Sequence, residues 1–106
     1  MENKEISDNL SLYMWHIGKI LTELMIVSNS TESPIIVQTF RAAAVFFDTL
    51  GRCIYGSLSF EEIFPKLNDF IGSLDYNADE SFASILDYAH EFSKDLLIFL
   101  EEHNLK

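Results

Sequence analysis

From Ala78 to Lys106 the apolar residues fall at Phe82, Ile85, Leu86, Ala89, Phe92, Leu96, Phe99 and Leu100. This is the i, i+3, i+4, i+7 recurrence that gathers all of them on one side of an α-helix. The other side carries Glu80, Ser84, Asp87, Glu91, Asp95 and Glu102, a nearly continuous acidic ridge. A helix over 78–103 is roughly 40 Å long at ~1.5 Å per residue, more than a small domain needs to close its core. Such a rod cannot bury its apolar side alone, so the rest of the chain must supply other rods.

It does so three times. Ile6, Leu10, Tyr13, Ile17, Ile20, Leu24 and Val27 alternate steps of four and three, a bundle seam widened by Met14, Leu21 and Met25. With Ser7 or Asp8 as cap, this predicts a first helix over 7–27. Ser28 to Ser33 is a small, polar linker, and Ser33 followed by Pro34 is a start signal for a second helix. Its expected seam is Ile36, Phe40, Ala43, Phe47, Leu50 and Ile54, running through Gly51 and ending near Gly56, a helix over 34–55. In Leu58-Ser59-Phe60-Glu61-Glu62-Ile63, Ser59 can cap, Glu62 can close a capping box and Leu58 can staple onto Ile63. Pro65 lies late enough to predict a kink, or one turn and a restart, in a third helix over 60–71. Asn77, with Glu80 three residues on, opens the fourth. No strand pattern, repeat or low-complexity tract competes. The expectation is an all-α, antiparallel four-helix bundle, one domain over 1–106.

Charge narrows the partners. The formal net charge is −10; residues 1–53 hold six acids against four bases, and residues 54–106 hold eleven against three. Such a field repels phosphate backbones and anionic membranes and attracts basic proteins. Direct nucleic-acid binding and membrane binding are therefore not expected. A single cysteine, Cys53, allows no intramolecular disulfide. The start has no basic and apolar leader pattern, and Lys19 and Glu23 interrupt the first helix, which reads as too polar for a membrane span. A cytoplasmic address is the default expectation.

The chemistry-bearing residues do not converge. Asp87 and His90 have the i, i+3 spacing found in carboxylate-bridged metal bundles, but the first two seams offer no partner acids, so no metal or other cofactor is expected. His103 falls in the last turn, where it can meet the helix dipole. Cys53 has Arg52 beside it but lies near a seam, where a lone cysteine is a small buried hydrophobe. Gly56-Ser57-Leu58-Ser59 lacks the second glycine of a nucleophile elbow, and no phosphate cradle or zinc spacing occurs. An enzyme is not expected.

What remains after the seams are subtracted is the acidic ridge, joined by Glu61, Glu62 and Asp69 if the third helix lies alongside, and bulky apolar residues off the seams: Trp15, Phe46, Tyr88, Leu97 and Ile98. Aromatic anchors rimmed by acids suit a tight interface with a basic protein. The expected partner-binding set is Trp15, Phe46, Glu61, Glu62, Glu80, Asp87, Tyr88, Glu91, Asp95, Ile98 and Glu102. The leading expectation is a small binding module that neutralises or escorts a basic partner. Its sharpest form is an inhibitor or immunity-type protein covering a cationic toxin or nuclease, an analogy of size, charge and helicity. The paired tyrosines of the helical immunity proteins of DNase colicins are not present; Tyr55, Tyr76 and Tyr88 stand singly. The alternatives are a self-associating (homodimeric) structural or adaptor subunit, which uses the same apolar excess, and a DNA-mimic inhibitor, which the scattered Lys66 and Lys94 disfavour.

Overall fold

Four α-helices account for most of the chain in a computed structural model, which describes residues 2–30, 33–75 and 82–106. They are α1 (Glu2–Ser30), α2 (Pro34–Ile54), α3 (Ile63–Gly72) and α4 (Ala83–Glu102), with a 3-10 turn at Phe60–Glu62. No strand occurs among the described residues. Consecutive helices pack on one another, and α4 closes the ring against α1. Each neighbouring pair runs antiparallel: Tyr13 meets Phe99 while His16 meets Tyr88, Gly18 faces Phe47 while Gly51 faces Met14, and Thr39 reaches Ser73 while Cys53 reaches Ser59. The bundle expected from the periodicity is the observed architecture.

The core is mostly Ile and Leu side chains around an aromatic cluster to which every helix contributes. Phe46 of α2 stacks on Phe70 of α3 at 6.2 Å, and both meet the edge of Phe92 of α4. Phe92 in turn contacts Tyr13 of α1. Offset and edge-to-face rings at such separations add stability beyond their buried area. Phe46 is fully buried, so its expected place in a partner-binding surface is corrected. The reason lies in α2, which serves two neighbours. Two lines of steps of three and four run along it, sharing Ile36, Ala43 and Leu50. Thr39, Phe46 and Cys53 face α3 and are buried, whereas Phe40, Phe47 and Ile54 are only half-buried. The more hydrophobic line is the obvious one in the sequence, and it is the flank. Leu97, Phe99 and Leu100 are likewise accounted for by packing within the chain, leaving Ile98 of that run exposed.

Helix ends differ from expectation in three places. α1 begins at Glu2 because Ile6 continues its seam into the core; Ser7 and Asp8 lie inside the helix, and the Ser11 hydroxyl donates back to the Ser7 carbonyl. It also runs on through Ser30, shortening the linker. Ser33 does precede α2 with Pro34 at its start, although its hydroxyl makes no capping bond. Pro65 causes no break: the 3-10 turn carries the entrance, the Ser59 hydroxyl accepts from the Glu61 amide, and Pro65 falls in the first turn of α3, where its missing N–H would have no partner. Asn77, Glu80 and the expected start of α4 at 78 lie outside the described residues, and α4 is described over Ala83–Glu102.

Two helices end in the same way. Gly56 takes φ +82°, its amide donates to the Cys53 carbonyl, and the Ser57 amide donates to that of Arg52. Asn104 takes φ 56°, with the Leu105 amide donating to the Leu100 carbonyl at 2.8 Å. Both are left-handed closures that satisfy orphan carbonyls, by the two residue types that tolerate the conformation. The Lys4–Asn29 stretch of α1 is, by length and composition, long and apolar enough to cross a membrane. Lys19 and Glu23 lie within that stretch, and in this fold its seam packs against α2 and α4.

Candidate functional site: the groove between α1 and α4

Where α4 closes on α1, side chains off the two seams meet along a shallow groove. One half, about 250 Å³, is lined by Leu12, Tyr13, His16, Tyr88, Glu91 and Asp95, with Phe92 behind them. It continues past Tyr88 into a second depression of about 210 Å³ bordered by Lys19, Glu23 and Ser84. Taken together the two halves reach the lower range of clefts that enclose small molecules, about 300 Å³ upward, but they are strung along the helix pair as a shallow trough. The form is that of a surface to be covered.

The groove is built by the antiparallel closure. Tyr13 belongs to the α1 seam, so its ring lies between Phe92 and Phe99, and its hydroxyl emerges at the rim. There burial, then the carboxylates of Asp95 and Glu102, hold the phenol above its ordinary 10.0. Those two acids therefore act on one point. Three residues along α1, His16 Nδ1 shares a hydrogen bond with the Tyr88 hydroxyl, linking the helices across the floor. The Lys19 ammonium lies 5.5 Å from the Tyr88 ring centre and 5.8 Å from that of Trp15, a cation held over two aromatic faces. Among the described residues no cation lies within ion-pair distance of Glu91, Asp95 or Glu102.

Of the expected partner-binding residues, Tyr88, Glu91 and Asp95 line this groove, with Glu102 near it through Tyr13. Trp15 stands exposed on the outer rim. Asp87 and Ile98 are exposed on α4. Glu61 and Glu62 are exposed elsewhere, at the α2–α3 end, where Glu62 acts on the Cys53 thiol. The entrance of α3 lies by the C-terminal end of α4, where the Lys106 ammonium is 5.8 Å from the Phe64 ring centre. Tyr13 and His16 were missed as site residues. Their positions on the first seam and its flank are legible, but nothing local to them says which residues of a helix some 70 positions later will lie opposite.

The reactive-looking groups have structural surroundings. Cys53 is 2% exposed and its thiol donates to the Ser59 carbonyl. Desolvation, and to a lesser degree the negative charge of Glu62, push it up to about 11, away from the thiolate that nucleophilic chemistry needs. His103 shares a hydrogen bond with the Phe99 carbonyl at 2.9 Å in the last turn of α4, as its position suggests. No group of three or more His, Cys, Asp or Glu suited to a metal occurs among the described residues. What the fold and groove define is therefore a class of architecture, an acidic helical bundle with an aromatic-floored groove. Comparison with known proteins adds no family: no family model, no curated protein and no solved structure matches this chain.

Proposed function

We propose that this protein is a binding module for a basic protein partner, engaged through the α1–α4 groove. One observation supports the reading: Glu91 and Asp95 line an aromatic groove with Glu102 acting on Tyr13 of the same groove, and among the described residues no cation lies within ion-pair distance of the three. Carboxylates in such a row select Arg and Lys side chains, steer encounter and set register. Tyr13, His16 and Tyr88 supply rigid rings at low entropic cost, against which a guanidinium can stack. The formal charge of −10 extends the attraction beyond contact distance. Within this class, an inhibitor or immunity-type protein that blankets a cationic active site is the form we favour, acting by occlusion and requiring no catalysis or cofactor.

The test is affinity purification of the full chain from its source cells at low salt, beside an E91K/D95K variant. A basic protein retained by the wild type, lost from the variant and released by about 0.5 M salt is the expected result, because exposed charge pairs are screened there. Recovery of no basic protein, or of one that the variant retains equally, overturns the reading.

A further inference from the structure

The outward side of α1 carries a second apolar stripe whose side chains are exposed. Leu12, Trp15 and Ile26 are 58%, 61% and 59% exposed. With Lys19 and Thr22 between them they step along the helix by three and four residues, a seam opposite the one that packs into the core. Gly18 and Thr22 keep the middle of this side low, beside a hollow floored by Met14 and Phe47, so that another helix can approach closely. This stretch is also locally neutral. From Asn9 to Val27, α1 carries one cation and one anion, Lys19 and Glu23, a helical turn apart.

We propose that a second copy of this chain covers the stripe, with α1 packing antiparallel on α1 about a two-fold axis. The pattern is self-complementary in that direction alone. A register that sets Trp15 against Ile26 of the second copy brings Lys19 within reach of the second copy's Glu23, and the two-fold makes each contact twice. A parallel pair would set Lys19 against Lys19 and Glu23 against Glu23, a like-charge arrangement that disfavours association. One helix pair is a small contact, at the low end of specific interfaces, so the dimer forms at micromolar concentrations and above. Leu12, Lys19 and Glu23 belong both to this contact and to the edge of the acidic groove, so a second copy and a groove-bound partner compete for them, and the inference does not rest on the groove's having a partner.

Sedimentation equilibrium of the full chain from about 1 to about 500 µM, the range a weak interface calls for, reads the outcome. The wild type shifts from monomer to dimer across it. Trp15→Glu stays monomeric with unchanged circular dichroism. Lys19→Glu and Glu23→Lys each weaken association about tenfold, and the K19E/E23K double variant restores it. Glu23→Lys separates specific pairing from bulk repulsion, since it lowers the net negative charge and would otherwise strengthen the dimer. A wild type that is monomeric throughout overturns the proposal, as does a dimer that Trp15→Glu leaves intact, or a double variant no better than the singles. Flotation of the wild type with phosphatidylcholine vesicles, abolished by Trp15→Glu, would assign the stripe to lipid and overturn it equally.

Discussion

Two aromatic residues off the expected seams have opposite environments, and their substitution separates core from surface. Phe46 touches Phe70 and Phe92 and has no exposed area, so Phe46→Ala is expected to cost about 3–5 kcal/mol in urea unfolding, from lost transfer energy plus the cavity left behind. Trp15→Ala, measured where the chain is monomeric, is expected to stay within about 0.5 kcal/mol of wild type. Both residues read alike in the sequence, as bulk outside a four-and-three alternation. What distinguishes them is that Phe46 lies on the side of α2 turned to α3 and α4 whereas Trp15 lies on the outer side of α1, a property of the assembled ring and of no local window. Cys53 gives a second residue-level expectation. Its thiol is raised from 9.0 to about 11 chiefly by burial, so the folded state holds the neutral form. The associated stability is complete below pH 9, declines once the unfolded thiol ionises, and is gone as pH passes about 11. Removing the thiol by Cys53→Ala should therefore flatten the fall in melting temperature between pH 9 and 11, and the native wild type should resist alkylation at pH 8 until denatured.

At the scale of the helix, ends are where propensity and packing compete. The Ser59 entrance, the Pro34 start and the stop at Gly56 were legible because each depends on a few adjacent residues with fixed backbone preferences. The start of α1 was not. Ser7 and Asp8 are good caps, but extending the helix to bring Ile6 into the core outweighs a cap worth about 1 kcal/mol. Pro65 was misread for a related reason: its effect depends on where the α-helical hydrogen bonds begin, and the 3-10 turn at Phe60–Glu62 delays that point. This yields a paired expectation. Pro65→Ala should change stability by less than about 1 kcal/mol, where a proline inside a helix would cost about 3 kcal/mol. Gly56→Ala should lose about 1–2 kcal/mol, since its φ of +82° is unfavourable for any residue with a Cβ. Thermal unfolding of the two variants in parallel would show a mutable proline and an immutable glycine, the reverse of what their names suggest.

The whole molecule is an elongated bundle, 45 × 22 × 19 Å, whose charge is out of balance however its residues are paired. Seventeen acids face seven bases, so ten carboxylates are left over even if every cation finds one. Two pairs among the described residues, Arg52 with Asp48 at 2.9 Å and Lys106 with Glu101 at 3.9 Å, are surface contacts, of a kind that contributes little to stability. The fold is held by its apolar core against its own electrostatic repulsion. Salt should then stabilise this protein. Raising ionic strength from about 0.01 to about 0.15 M shortens the screening length from roughly 30 to 8 Å. The repulsion between carboxylates on different helices is thereby reduced, and the melting temperature should rise by several degrees, as about 1 kcal/mol moves a domain of this size by roughly 4–8 °C. A polycation that binds the acidic groove adds a contribution beyond screening, since it attaches to the folded state in preference to the unfolded one. Oligolysine at low ionic strength should therefore raise the melting temperature more than sodium chloride of equal cationic charge. The E91K/D95K variant should keep the response to sodium chloride while losing most of the excess from oligolysine. A salt response that is flat or negative would mean that charge opposes this fold less than composition implies, and that the acids have cations close by.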